Sequence, residues 1–75
     1  MLETIQKIIY QITGKRNVTD DTDFVRDLEL NSFDIMNIVA ELEDTYGIEI
    51  PTRDVWHLNQ VKDAIAYLRK RGVRD

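Results

Sequence analysis

The stretch from Asn31 to Gly47, NSFDIMNIVAELEDTYG, carries the strongest helical signal in the chain. Its apolar residues recur at spacings of three and four, which places them on one face of a helix. Asn31 or Ser32 suits the N-cap position, and Gly47 suits the position just past the C-terminus. The pattern predicts a helix over residues 32–46 with an inward stripe of Ile35, Ile38, Val39, Leu42 and Tyr46, and with Met36 at its edge.

Weaker helical signals lie on both sides of this stretch. Residues 2–13 carry an apolar stripe that ends at Gly14, formed by Leu2, Ile5, Ile8, Ile9 and Ile12. After Pro51, Thr52 is a candidate cap for a short helix that runs to about Leu58, with Val55 and Leu58 facing inward. Asn59 is a candidate cap for a last helix, which Gly72 ends and whose stripe is Val61, Ala64, Ile65 and Leu68.

Residues 15–31 have no helical period and are predicted to form a long loop. Apolar residues are nevertheless spread through this segment, so we expect it to be held against the core by Val18, Phe24, Val25, Leu28 and Leu30. Long ordered loops are often functional. Together, the segments predict an all-α domain of three main helices and one short helix over residues 1–75.

Length and composition limit what such a chain can do. Its 75 residues suffice for a single domain with a lean core, which favours a carrier or binding role over an enzyme. The sequence contains no cysteine, which fits the cytoplasm and excludes disulfides. No apolar run approaches the roughly 18–20 residues of a membrane span. The N-terminus lacks the features of a signal peptide.

The net charge of −4 conceals a strong asymmetry. Residues 20–49 hold ten acidic residues against the single base Arg26, a net of −9, and the remainder has a net of +5. An acidic middle argues against nucleic-acid binding there and favours basic protein partners. The basic residues near the C-terminus, from Arg69 to Arg74, are typical of a helix C-terminus.

Few residues could carry chemistry. His57 is the only histidine, has no partners spaced for a catalytic triad, and is interpreted as a surface residue. The aspartates of residues 20–23 do not continue into a Ca²⁺-loop pattern. Neither a catalytic residue nor a metal site is therefore expected. Trp56 either fills the core or forms part of a partner surface, and packing is the favoured interpretation.

Ser32 has two interpretations that use the same geometry. Serine is a favoured N-cap, which is the structural interpretation. A hydroxyl at a helix N-terminus can also hold a phosphate, because free N–H groups and the positive end of the helix dipole stabilise the negative charge.

The run from Phe24 to Asp34, FVRDLELNSFD, and its continuation to Ile50-Pro51 resemble the acyl carrier protein family. That family typically shows a Phe, then Asp-Leu-Gly, then Asp-Ser-Leu, and then a helix rich in Glu and aliphatic residues that ends in Ile-Pro. The positions of the first helix, the long loop, the short helix and the last helix also match the family. The resemblance thus covers essentially the whole chain.

The resemblance implies an up-down four-helix bundle in which a separate transferase moves 4′-phosphopantetheine from coenzyme A to Ser32. The thiol of this arm would then carry an acyl group as a thioester, and the chain itself would catalyse nothing. The resemblance also implies a surface for partner enzymes, formed by Asp34, Met36, Asn37, Ala40, Glu41, Glu43, Asp44 and Trp56.

The implied partners of a monomeric carrier are the phosphopantetheinyl transferase and enzymes that transfer acyl or aminoacyl groups. Basic patches on these enzymes would meet the acidic residues of the second helix, giving fast and salt-sensitive association.

Five positions depart from the family pattern. Asn31 stands in place of the Asp before the serine, Phe33 in place of Leu, and Glu29 in place of Gly. Asn37 and Ala40 stand where the family often has an acid and a larger apolar residue. These departures indicate a specialised carrier rather than the housekeeping carrier of fatty-acid synthesis.

Alternatives remain at this point. Ser32-Phe33 and Asp54-Val55-Trp56 are similar to D-alanyl carrier proteins, and peptidyl carriers are further relatives. An unmodified interaction module that uses the bundle only for binding is a hypothesis of another class, and Asn31 is the feature that keeps it open. A stand-alone hydrolase has no constellation of residues behind it.

Overall fold

The computed structural model describes residues 1–74, which form four helices. These are α1 (Leu2–Thr13), α2 (Ser32–Tyr46), the short α3 (Thr52–Val55) and α4 (Val61–Lys70). The only β pairing in this part of the chain is one isolated bridge between Asp23 and Gln60. The prediction of three main helices and one short helix is therefore confirmed.

The core lies between α1, α2 and α4, and α1 packs against both of the other two. Ile5 and Ile9 of α1 and Val61 and Leu68 of α4 are the most completely buried large side chains. The predicted stripe of α4 is buried throughout, and α2 buries Ile38, Val39 and Leu42. Among residues 1–74, no helix has the length and hydropathy needed to cross a bilayer.

Glycines end the first two long helices as predicted. Gly14 and Gly47 have left-handed backbones with φ of 73° and 66°. The N–H of each donates 2.8 Å to a carbonyl four residues back, on Tyr10 and Glu43 respectively. Such a φ strains any residue with a Cβ, so glycine at these positions lets the chain leave the helix without that strain.

The short helix differs from its prediction in length and in cap. α3 ends at Val55, and Thr52 is its first helical residue rather than its cap. The N–H groups of His57 and Leu58 donate to carbonyls three residues back, at 3.2 and 3.0 Å. This tighter pattern of bonds follows the end of α3 and turns the chain toward α4 within a few residues. Val55 is buried and Leu58 is half-buried, so both face inward as predicted.

The last helix also begins differently from its prediction. Gln60, not Asn59, is the N-cap of α4. The Asp63 carboxylate accepts from the backbone N–H of Gln60 at 3.0 Å, and the N–H of Val61 donates 3.0 Å to the carbonyl of Thr22. The long loop thus takes up donors at the start of α4 and fixes its first residue.

The long loop is held against the core, with one exception to the prediction. Val18, Leu28 and Leu30 are buried and Phe24 is half-buried, whereas Val25 is 61% exposed. Residues 23–28 form a tight turn in which the N–H groups of Asp27 and Leu28 donate to the carbonyl of Asp23. Neighbouring side chains diverge in such a turn, so Phe24 faces the core and Val25 faces solvent.

Candidate functional site

The start of α2 is capped by Asn31 and not by Ser32. Asn31 has an extended backbone, with φ −90° and ψ 176°, and its side-chain oxygen accepts from the N–H of Asp34 at 2.8 Å. Ser32 is therefore the first helical residue, and its interpretation as an N-cap is wrong. A side chain needs the extended backbone of the cap position to reach a donor three residues on, and only Asn31 has it.

The Ser32 side chain is exposed, and its hydroxyl makes no hydrogen bond within residues 1–74. The backbone N–H groups of Ser32 and Phe33 also find no acceptor in this part of the chain, because the first donors of a helix lie beyond the reach of its carbonyls. The site thus combines a free hydroxyl, two free N–H groups and the positive end of a 15-residue helix. This arrangement can hold a phosphate esterified to the hydroxyl.

A compact turn delivers the chain to this site. The N–H of Leu30 donates 3.1 Å to the carbonyl of Phe24, and the N–H of Glu29 donates 3.0 Å to that of Val25. Glu29 has a left-handed backbone with φ 53°, which is unusual for a residue with a Cβ. Glycine would adopt this backbone with less strain than Glu29 does, because it has no Cβ.

The residues expected to contact partners fall into two groups. Ala40, Glu41, Asp44 and Trp56 are exposed, whereas Asp34, Met36, Asn37 and Glu43 are half-buried. Met36 packs against the core. The Glu43 carboxylate accepts from the N–H of Ile50 at 2.8 Å, and this bond fixes the segment that follows α2. Glu43 therefore has a structural role besides any contact with a partner.

Trp56 is 49% exposed, so its favoured interpretation as a packing residue is wrong. Val55 fills the interior position at the end of α3, and the next side chain along the chain turns outward. His57 is exposed, as predicted. The structure adds Phe33, which is 73% exposed directly beside Ser32. Phe33 does not belong to the inward stripe that contains Ile35 and Ile38, and this position in the helical period could have predicted its exposure.

An apolar cleft of about 40 Å³ opens between α2, α3 and α4. Ile35, which lies one helical turn after Ser32, forms part of its wall. Sequence reasoning missed this interior cleft because its lining comes from four separate segments, contributed by Phe24, Ile35, Ile38, Val39, Leu42, Ile50, Val55, Leu58, Ala64, Tyr67 and Leu68.

Tyr67 brings a polar group to this cleft. Its hydroxyl donates 2.7 Å to Oδ2 of Asp54 and accepts 2.9 Å from Nη1 of Arg71. Burial, together with the hydrogen bond to the Asp54 carboxylate, raises the pKa of Tyr67 above its usual value of 10.0. A phenol is protonated at neutral pH without any shift, so this raised pKa extends to higher pH the range in which Tyr67 can donate to Asp54. Within residues 1–74, no group of three or more His, Cys, Asp or Glu residues could hold a metal ion.

Comparison with known proteins finds relatives over most of the chain. The family model described as "Phosphopantetheine attachment site" matches residues 3–68. A meromycolate extension acyl carrier protein of Mycobacterium bovis is 37% identical over 68 residues, which cover 88% of this chain and 59% of that protein. An acyl carrier protein of Tropheryma whipplei is 41% identical over 70 residues, covering 91% of this chain and 85% of that protein.

The fold has a solved counterpart. A structure described as an acyl carrier protein from Mycobacterium tuberculosis superposes with a TM-score of 0.83 at 29% identity, covering 91% of this chain and 93% of the other. The predicted carrier-like helical fold is confirmed by this superposition. The chain spans 59% of the length of the Mycobacterium bovis relative, so the two proteins are alike over this domain.

Proposed function

The chain belongs to the phosphopantetheine attachment-site family that includes the acyl carrier proteins, and from this premise we propose that it carries acyl groups on an arm attached to Ser32. Members of the family bear a covalent phosphopantetheine group. The observation that carries the proposal is the free Ser32 hydroxyl at the N-terminus of α2. Ser32 is also the one serine in the sequence, so an arm linked through serine has a single possible position.

The loading step needs a separate transferase and coenzyme A. The Ser32 oxygen forms a bond to the phosphorus that bears the pantetheine, and the phosphoanhydride bond of coenzyme A breaks. Adenosine 3′,5′-bisphosphate leaves, and the hydroxyl proton passes to a base on the transferase. This chain supplies an exposed nucleophile and catalyses none of these changes, which agrees with the non-enzymatic role of its family.

The residues around Ser32 fit the phosphodiester that results. The free N–H groups of Ser32 and Phe33 can donate to its oxygens, and the helix dipole favours its charge. Asn31 caps the helix as the family's Asp would, because both side chains offer an oxygen to the first turn. Asn31 lacks the negative charge of that Asp, so no carboxylate at this position repels the phosphate.

When bound, the arm supplies a thiol that carries cargo as a thioester. The lining of the interior cleft is apolar, so it favours an acyl chain as cargo. An aminoacyl group would bring an ammonium, whose burial is costly without a partner. Among residues 1–74, no carboxylate lines the cleft to pair with that ammonium. The cleft thus supports the acyl carrier over the D-alanyl or peptidyl alternative.

The proposed partners are the transferase and enzymes that deliver or remove acyl groups. Glu41 and Asp44 on the exposed side of α2 offer carboxylates to basic patches, which accelerates association at low salt. Phe33 and Trp56 are large exposed apolar side chains and can bury their rings in a partner. The five departures from the family pattern favour partners outside housekeeping fatty-acid synthesis.

The test is the intact mass of the chain after incubation with coenzyme A and a broad-specificity phosphopantetheinyl transferase. We expect the chain to gain the mass of one phosphopantetheine and Ser32→Ala to gain none. Thr45→Ala removes an exposed hydroxyl from the same helix and should load normally. Because Asn31 supplies the cap, Ser32→Ala should also melt within a few degrees of the wild type.

The opposite result has a definite meaning. If a known carrier is modified in the same tube and this chain is not, Ser32 is closed to that transferase and the unmodified interaction module is favoured. If Ser32→Ala gains the same mass as the wild type, the arm is attached elsewhere and the proposed site is wrong.

A further inference from the structure

α3 is the least secured wall of the interior cleft. It has only four residues, and among these Val55 alone is buried. The opposite walls belong to α2 and α4, which have 15 and 10 residues and are anchored in the core. A force from inside the cleft would therefore displace α3 before it displaced either long helix.

The cleft is too small for a long chain in its present form. A group the size of a water molecule needs about 10–15 Å³ of cavity volume. The cleft, with a volume of about 40 Å³, therefore holds roughly three groups of that size. A cargo that reaches further inside must push a wall outward, since closely packed interiors do not absorb extra atoms.

The hydrogen bond from Tyr67 to Asp54 links α4 to α3. Arg71 fixes its direction, because a guanidinium can only donate. With the Tyr67 oxygen accepting from Arg71, the phenol proton is left for the Asp54 carboxylate. Tyr67 itself lines the cleft, so the bond joins part of the cleft lining to α3.

We propose that the Tyr67–Asp54 hydrogen bond is a latch that sets the length of acyl cargo the cleft accepts. Short cargo fits with the latch closed, whereas longer cargo must break this bond so that α3 can move outward. Tyr67 and Asp54 are thus specificity-determining residues, and Arg71 is a positioning residue that acts through Tyr67. The cargo part of this inference rests on the proposed carrier function, but the latch itself does not.

The latch can be tested in the unloaded chain by amide hydrogen exchange. Tyr67→Phe removes the hydroxyl and keeps the ring that lines the cleft. We expect the amides of Asp54, His57 and Leu58 to exchange about fivefold faster in this variant, the effect of losing one ordinary hydrogen bond. The Gly47 amide at the end of α2 should be unchanged.

Tyr46→Phe is the matched control, because it removes a phenol hydroxyl that makes no hydrogen bond within residues 1–74. It should leave exchange around α3 as in the wild type. Unchanged exchange at Asp54, His57 and Leu58 in Tyr67→Phe would overturn the latch. So would an equal acceleration at Gly47, since that would indicate general destabilisation.

A second measurement tests cargo length. Wild type, Tyr67→Phe and Tyr46→Phe are loaded from acetyl- and octanoyl-coenzyme A by the transferase, and their melting temperatures are compared. The gain from octanoyl over acetyl should be larger in Tyr67→Phe than in the other two, because insertion no longer breaks the bond. A purely structural role of Tyr67 would shift both loaded forms equally, and equal gains in all three proteins would overturn the length inference.

Failure of the two proposals can be told apart. A chain that accepts no arm contradicts the carrier function, while the exchange experiment on the unloaded chain still decides whether the latch exists. A chain that loads but shows no effect of Tyr67→Phe contradicts only the latch.

Discussion

At the residue scale, Asn31 and Ser32 divide two tasks that compete for one position. A side chain that caps a helix uses its oxygen to accept a hydrogen bond from an N–H group of the first turn, as Asn31 does from Asp34. Ser32 follows in the first turn, where its hydroxyl meets no acceptor or donor within residues 1–74. The pair therefore gives a capped helix start and an exposed, unbonded hydroxyl at once.

Glu29 is the second residue whose role depends on its backbone. A left-handed backbone costs a residue with a Cβ about 1–2 kcal/mol. Replacing that residue by glycine removes this strain but costs about 0.5–1 kcal/mol in chain entropy. At the φ of 53° found here, we expect Glu29→Gly to stabilise the fold by about 0.5–1 kcal/mol. Thermal unfolding should show a melting temperature higher by about 4 °C.

Glu29→Ala is the control for this substitution, because it removes the same charge from the acidic segment and keeps the Cβ. It should gain less than Glu29→Gly. Equal melting temperatures for the two variants would mean that relief of charge, and not of backbone strain, accounts for any gain.

At the element scale, the turn of residues 23–28 depends on the Asp23 carboxylate. Its Oδ1 accepts from the N–H of Arg26 at 2.8 Å and from that of Val25 at 2.9 Å. The bond from Arg26 chiefly, with that from Val25, lowers the pKa of Asp23 below its usual 3.8, against a partial desolvation that raises it. This turn places Phe24 against the core and leads the chain to Ser32.

The sign of the resulting pH dependence follows from linkage. Because the folded pKa of Asp23 lies below the unfolded one, the unfolded chain binds more protons as the pH falls. The stabilisation is therefore present above the unfolded pKa of about 3.8 and is lost as the pH falls through the folded value. Asp23→Asn keeps a side-chain acceptor and removes the titration, so its stability should fall less steeply in acid.

Urea unfolding at several values from about pH 6 to pH 3 measures this difference. Asp20→Asn is the control, because this exposed carboxylate makes no side-chain hydrogen bond within residues 1–74. It should follow the wild type. Parallel curves for Asp23→Asn and the wild type would show that the turn does not draw stability from the ionised carboxylate.

At the scale of the whole molecule, the uneven distribution of charge lowers the stability of the fold. Residues 20–49 have a net charge of −9, and the ion pair of Lys62 with Asp21 is exposed on both sides. Exposed pairs contribute little, so repulsion within the acidic segment is largely uncompensated. Under the proposed carrier function, the same residues offer an acidic surface to basic partners.

We expect the melting temperature to rise between about 10 and 150 mM NaCl, because the Debye length falls from about 30 to 8 Å. The double variant Glu41→Gln with Asp44→Asn removes two exposed acids of α2 and should respond less. A melting temperature that is the same at both salt concentrations would show that the acidic segment does not strain the fold.

The sequence by itself determined the three long helices and was enough to propose the site. Helical period is a local property, so the stripes of α1, α2 and α4 could be predicted from residues within a few turns of each other. The glycine ends of α1 and α2 follow from local backbone energetics in the same way. Ser32 could be proposed because its short motif lies within one continuous stretch.

Only the tertiary structure decided what depends on distant segments. Gln60 became the cap of α4 because the Thr22 carbonyl, far away in sequence, takes the N–H of Val61. The interior cleft and the Tyr67–Asp54 bond exist because packing brings α3 against α4, and no period in the sequence encodes that distance. Exposure of Trp56 was decided likewise, since which side of a four-residue helix faces the core is set by its neighbours.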